Sequence, residues 1–394
     1  MPDVRPGPWL RLIAVGASSA AALAVVSGAL SLHTAHRALA ALAVPPLAAL
    51  VAAGWVAHRR LVWPSVAALA SFLAAALVIG RPLHIAFAAL ALAAALVATA
   101  ETLRGEHVPA APWRDYITLT KPRIMTLLLL TGACGMVVGA EGLPSAWLFV
   151  VTMTGLALAC GGASALNHVI DRDIDRHMRR TDRRPVAADR VPPTRALEFG
   201  LALSALSFVL LASLVNVLAA VLALAGNLFY VFVYTRWLKR STPQNIVIGG
   251  AAGAVPPLVG YAAATGNVTV AALLLFAIVF FWTPPHFWAL ALLIRRDYEA
   301  AGVPMLPVVR GERETTKQIL LYTVVLVAVT AAPFLYGTLG LPYLVAALAL
   351  GVVFFVLALG LRRETTPRRA ALLFHFSLLY LALLFVAMAL DAAL

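Results

Sequence analysis

The chain has 394 residues, of which 62% are hydrophobic and only 12% charged, with a mean hydropathy of +0.92. Soluble domains carry about a quarter charged residues, so the composition excludes disorder, a secreted disulfide scaffold and a soluble nucleotide-fold enzyme. The remaining charge is lopsided, 30 Lys and Arg against 17 Asp and Glu, and in so apolar a chain that excess points to membrane topology and not to nucleic acid.

A membrane-crossing helix needs about 20 apolar residues. Breaks at charges, prolines and glycine clusters give four such segments, at 10–31, 38–57, 62–80 and 83–101. The first follows Arg11 in the manner of a signal peptide, but it outruns the usual apolar core of about 7–15 residues and further spans follow. It is read as an uncleaved first helix. A polar stretch from Glu101 to Arg123 comes next, with Pro109, Pro112 and Trp113. Nine more spans fit at 122–140, 145–170, 195–214, 216–234, 245–263, 268–290, 318–338, 341–361 and 370–391. The expected fold is all-α and polytopic: a nine-helix bundle over 106–394, preceded by about four extra helices in 1–105. Cys134 and Cys160 both fall in apolar runs and form no metal or disulfide pattern.

The cations orient this arrangement. With the N-terminus inside and the spans alternating, all of the 30 Lys and Arg except Arg37 and Arg81 fall on the inner side. The opposite orientation violates the positive-inside rule almost everywhere.

The sixth span ends as ALNHVIDRDIDRHMRRTDRRPV. Asn167, Asp171 and Asp175 recur every four residues, so on a helix they share one face over ~12 Å of axis. Two carboxylates and an amide oxygen on one stripe suit a hard cation, above all Mg²⁺ bound jointly with phosphate. Arg176, Arg179, Arg180, Arg183 and Arg184 follow at once and offer donors for phosphate oxygens. Taken singly, each arginine also fits a solvated inner loop. The carboxylates do not, because acidic groups beside a span are costly and contribute little to topology. A second inner segment, after the tenth span, carries Arg295, Arg296, Asp297 and Tyr298 and could complete a two-sided site.

These residues carry a resemblance. The Asn-x3-Asp-x3-Asp helix end, the following Arg180, Thr181, Arg184 and Pro185, and the nine spans closely resemble the intramembrane prenyltransferases of the UbiA superfamily. DYITLTKPRI (115–124), TPPHFWALAL (283–292) and DYEAAGVPMLPVVRG (297–311) resemble its heme-farnesylating branch. Quinone-pathway members usually show a second Asp-rich motif, whereas here Asp297 is followed four positions on by Ala301. The resemblance implies transfer of farnesyl from farnesyl diphosphate to a vinyl carbon of heme B, with water adding to give heme O. It implies Mg²⁺ on Asp171 and Asp175 with Asn167 supporting, diphosphate clamps at Lys121, Arg123, Arg179, Arg180 and Arg184, and Asp297 and Tyr298 across the site. Phe280, Phe281, Trp282, Phe287 and Trp288 would wall an allylic cation, although any one of them also reads as core. His286 is expected either to meet heme iron or a propionate, or to bond a backbone carbonyl freed by Pro284 and Pro285. His375 reads as a satisfied core histidine.

In the first four spans, His36 and His84 open neighbouring helices at similar depth, as bis-imidazole heme ligation requires. HTAHRALAAL (33–42) and LHIAFAALALAAAL (83–96) resemble one four-helix half of heme A synthase, with His33 where that family has Glu and the second half absent. Two readings stay open: a remnant that binds heme or docks heme A synthase or an oxidase assembly factor, and a pair of histidines at interfacial helix ends. Other function classes are a prenyltransferase of a quinone precursor, an ion-coupled transporter and a structural heme-binding assembly subunit. A transporter calls for inverted repeats and midplane charge, and neither is visible. The expected location is the bacterial plasma membrane, with the N-terminus and the site loops cytoplasmic.

Overall fold

Each apolar run becomes a helix because lipid offers its backbone no hydrogen bonds. Proline and small polar caps set many of the starts. Pro122, Pro193, Pro342 and Pro367 occupy first or second positions, where a missing N–H costs nothing. Ser145, Asn216 and Thr366 accept bonds from Leu148, Ala219 and Arg369 backbone N–H groups.

The computed structural model describes residues 8–29, residues 111–394 and scattered positions between 43 and 95. Helix α1 is Pro8–Ala29. The expected spans 38–57, 62–80 and 83–101 lie, apart from those scattered positions, outside the described residues, as do His33, His36, His58 and His84. Nine helices in the described residues are long and apolar enough to cross a membrane: α2 (Pro122–Ala140), α3 (Ala146–Ile170), α4 (Pro193–Leu214), α5 (Val217–Ser241), α6 (Asn245–Thr265), α7 (Val270–Leu293), α8 (Gly311–Leu335), α9 (Leu341–Arg363) and α10 (Pro367–Ala393). No strand occurs among the described residues.

Three details depart from the expected boundaries. Helix α8 starts at Gly311, not 318, because its first turns take in Glu312, Glu314 and Lys317 at the membrane surface. Helix α5 runs on to Ser241, well past 234, through a π-helical stretch at Phe229–Leu238. Helix α6 breaks at Ala254, just ahead of Pro256 and Pro257.

Consecutive helices pack side by side, and α2 also meets both α6 and α10, so the nine close into a ring. Alternation puts the start of α2, the ends of α3, α5 and α7, and the start of α8 at one end of the bundle. Helix α1 lies against α4. Large apolar side chains such as Val345, Val352, Val356, Leu379 and Leu383 remain exposed on the outer faces, as a lipid-facing surface requires. The chain is a multi-pass membrane protein.

The tightest contact is between α2 and α6. A Cβ on Gly260 would stand 1.9 Å from the Gly132 carbonyl oxygen, and one on Gly135 2.5 Å from that of Pro257. Small residues let helix backbones touch where no hydrophobic effect drives them together. Gly260→Ala is therefore expected to destabilise the bundle by about 1–3 kcal/mol, read as a lowered unfolding midpoint in detergent. Gly253→Ala, with open space around the new methyl, should change it by less than about 1 kcal/mol.

Candidate active site

The carboxylate stripe survives folding with a bend in it. Helix α3 ends at Ile170, Asp171 sits at its C-cap, and a short helix, Arg172–Arg176, continues the path. Backbone bonds from Asp171 N–H to Asn167 C=O (2.9 Å) and from Asp175 N–H to Asp171 C=O (2.8 Å) keep the three in register. Asn167, Asp171 and Asp175 are 3%, 0% and 1% exposed.

Buried carboxylates must be paired or hydrogen-bonded, and each finds a cation from another segment. Lys239, at the end of α5, donates to Asp171 Oδ2 at 2.5 Å. Arg184, in the loop after the short helix, bonds both oxygens of Asp175 at 2.8 Å. Lys121, just before α2, donates to Asn167 Oδ1 at 2.7 Å. The Asn167 amide in turn donates to Asp171 Oδ2 (2.7 Å) and to the Thr235 hydroxyl (3.1 Å). Arg240 forks onto Asp173 at 2.7 Å twice, bonds the Ile170 carbonyl, and stands 3.9 Å from Asp171 Oδ1.

Lys121 adopts left-handed backbone angles, φ 51° and ψ 59°. Such a conformation costs a non-glycine residue of order 1–3 kcal/mol and collects at functional sites. Burial, with the Arg184 charge nearby, holds its ammonium well below the ordinary lysine range, and the Asp171 and Asp175 charges oppose this. The Arg240 hydrogen bond draws the Asp173 carboxyl down to about 2.

The second inner segment does reach the first. The backbone N–H of Arg180 points at Asp297 Oδ2, 3.4 Å away. Tyr298 is buried, which raises its phenol, while the Arg180 and Arg184 charges pull the other way. A cavity of about 250 Å³ opens at the rim between Asp173, Ile174, His177, Arg240 and the loop 301–303. Arg123 and Arg179 behave differently: both are exposed, and neither side chain makes a hydrogen bond or ion pair among the described residues.

His286 lies within α7, apart from this cluster, and is 6% exposed. Its Nδ1 bonds the Ser377 hydroxyl of α10 at 2.6 Å, so a carbonyl freed by the prolines is not its partner. His375 is exposed, not buried, and its Nδ1 bonds the Ala371 carbonyl.

Sequence reasoning counted Lys239 and Arg240 only as topological charge and passed over Thr235. Their position in YTRWLKR, five residues or fewer from one another and at the inner end of a span, was the available signal. The π-helical stretch carries Thr235 and a stacked Tyr230–Tyr234 pair, centroids 5.4 Å apart, up to the carboxylates. Wide π turns gather at functional sites.

The donor set fits magnesium. Asp171 Oδ1 is buried with no hydrogen bond, and a lone pair left open in this way suits a hard cation. No three His, Cys, Asp or Glu side chains converge among the described residues. That also fits, because Mg²⁺ takes one or two carboxylates and fills its remaining positions with water and substrate phosphate.

The chain matches the UbiA prenyltransferase family over residues 128–386. It is 57% identical over 280 residues to a protoheme IX farnesyltransferase of Symbiobacterium thermophilum, covering 71% of this chain and 94% of that one. It is 54% identical over 278 residues to the protein of that name from a Roseiflexus species, again over 71% of this chain. There it spans only about half, 52%, of the relative. Among solved structures it shares the fold of a digeranylgeranylglyceryl phosphate synthase (TM-score 0.60, 18% identity, 71% of this chain and 98% of that one). A UbiA homologue from Archaeoglobus fulgidus bound to DMAPP and Mg²⁺ matches with a TM-score of 0.50 and 19% identity, over 70% and 99% of the two chains. This chain belongs to the UbiA prenyltransferase family.

Proposed function

We propose that the protein is a Mg²⁺-dependent heme farnesyltransferase, converting heme B, farnesyl diphosphate and water to heme O and diphosphate. The observation that carries the reading is the buried Asn167–Asp171–Asp175 stripe ringed by Lys121, Arg184 and Lys239. The choice of acceptor rests on 57% identity to a protoheme IX farnesyltransferase over nearly its whole length.

Three cations against two carboxylates leave the cluster one positive charge in excess, the complement of an anionic magnesium–diphosphate. Asp171 and Asp175 would hold the metal, which withdraws charge from the leaving diphosphate. Lys239 and Arg184 would turn from those carboxylates to the diphosphate oxygens, with Lys121 beside them and Asn167 holding Asp171 in place. Arg180, Asp297 and Tyr298 would close the other side. The farnesyl C1–O bond breaks with its electrons passing to diphosphate. The vinyl π pair then forms the new C–C bond, and water captures the resulting cation and loses a proton. Such a cation needs a water-poor cavity with π faces, and Phe280, Phe281, Trp282, Phe287 and Trp288 are the residues at hand. His286 would face the heme.

The inner-side excess of cations supports a cytoplasmic site and N-terminus in a bacterial plasma membrane. We assign residues 1–105 to an appended unit and 106–394 to the transferase. The appended unit would bind heme at His36 and His84, or dock heme A synthase or an oxidase assembly factor.

Membranes given heme B, farnesyl diphosphate and Mg²⁺ should yield heme of heme O mass. Unchanged heme together with prenylated 4-hydroxybenzoate would overturn the acceptor. Chelation should stop turnover and Mg²⁺ restore it, and Asp171→Asn should abolish it with the protein still inserted. The clamps should also separate. Lys239→Ala is expected to lower kcat about 100-fold, whereas Arg123→Ala and Arg179→Ala, exposed and unpaired, should change it no more than a few-fold. Equal losses at all three would refute the clamp assignment.

A further inference from the structure

His286 is held in a manner that settles its chemistry. Its ring lies between Trp282 (centroids 4.4 Å, 16° between planes) and Phe374 (4.8 Å, 22°), with Phe287 edge-on at 5.0 Å. Trp282 Nε1–H donates to the Ser377 carbonyl at 2.7 Å and ties the stack to α10. The Ser377 hydroxyl donates to the Phe374 carbonyl at 2.7 Å. With its proton committed there, that hydroxyl can only accept from the imidazole, so the 2.6 Å contact is Nδ1–H donating to Ser377 Oγ.

The other ring nitrogen, Nε2, therefore carries a bare lone pair, and it makes no hydrogen bond among the described residues. A buried structural histidine normally has both nitrogens satisfied. One nitrogen fixed by a hydroxyl and the other left open is the arrangement of a metal-ligating imidazole and its orienting partner. A neutral Nε2 cannot donate to a carboxylate, so it does not fit a heme propionate. It fits iron.

We propose that His286 Nε2 is the axial ligand of the acceptor heme, and that Ser377 is a positioning residue that fixes the ligating tautomer. This rests on the heme-acceptor reading above. His286 stands seven positions before Leu293, the last residue of α7, roughly 10 Å of helix rise below the carboxylate end. Iron held there keeps the macrocycle in the apolar span and lets its edge reach toward the diphosphate. Phe287, edge-on to the imidazole, is only half-buried, so a flat apolar ligand can reach the edge of the ring by displacing it. Coordination would fix the rotation of the macrocycle about the iron less than its depth and tilt. Its effect therefore belongs mainly in acceptor affinity, not in ionisation of the diphosphate.

The test is ferric heme titration of the purified full chain, read by Soret absorption and EPR, in the natural sequence and in a His36→Ala/His84→Ala background. Each variant is also assayed for turnover. His286→Ala should lose the imidazole-ligated spectrum and raise the KM for heme at least tenfold, and added imidazole should restore the spectrum. His286→Gln, which keeps an N–H for Ser377, guards against loss of fold and should behave alike. Ser377→Ala should weaken heme binding about tenfold with the KM for farnesyl diphosphate unchanged, a split that a general packing defect would not give. Farnesylation of heme by the natural sequence, with an unaltered spectrum in both His286 variants, would overturn this assignment alone. Failure of the natural sequence to farnesylate heme would overturn the acceptor reading and this assignment with it.

Discussion

Two carboxylates placed at the end of a membrane bundle with almost no water contact are the constraint around which this molecule is arranged. An uncompensated carboxylate there would cost several kcal/mol, so Asp171 and Asp175 oblige other segments to bring charge to them. Lys239 comes from the end of α5, Arg184 from the loop after α3, and Lys121, through Asn167, from the turn before α2. One cluster thus ties together three chain segments that the helix order alone would leave independent. In the proposed reaction the same cluster would exchange partners: each cation that neutralises a carboxylate would also serve as a donor for a diphosphate oxygen. The strained backbone at Lys121 is sustained by this arrangement.

Helix packing serves that cluster. Gly132, Gly135 and Gly260 bring α2 and α6 into backbone contact, and this sets where α2 begins and so where Lys121 stands. The π-helical turns of α5 present Thr235 and then Lys239 to Asn167 and Asp171. Deeper in the bundle, the imidazole of His286 is clamped by Trp282, Phe374 and Ser377. The charged chemistry sits at the membrane surface and the aromatic chemistry beneath it, an order that suits a substrate with an ionic head and an apolar body.

Much of this was legible in the residues. Apolar runs of about 20 gave the nine transferase spans to within a few residues, failing mainly where helices extend through polar turns, as at Gly311 and Ser241. Asn167, Asp171 and Asp175 were visible because acidic residues beside a span have few structural reasons to be there. Lys239 and Arg240 were not, because a lysine that orients a helix and a lysine that pairs a buried carboxylate look identical in sequence. For the same reason the arginines of the loop could not be ranked. Arg184 is half-buried against Asp175, whereas Arg179, five residues away, is exposed.

By itself, then, the sequence determined the membrane class, the helix count of the transferase bundle and the carboxylate stripe, because hydropathy and helical spacing are local properties. Only the tertiary structure decided which cations meet those carboxylates, that Asp297 lies across from Arg180, and that His286 bonds Ser377 through Nδ1. Apart from Arg184 and Asp175, which are nine residues apart, those are contacts between segments dozens of residues apart or more, set by how close the helices pack and how each one turns. No local pattern carries that information.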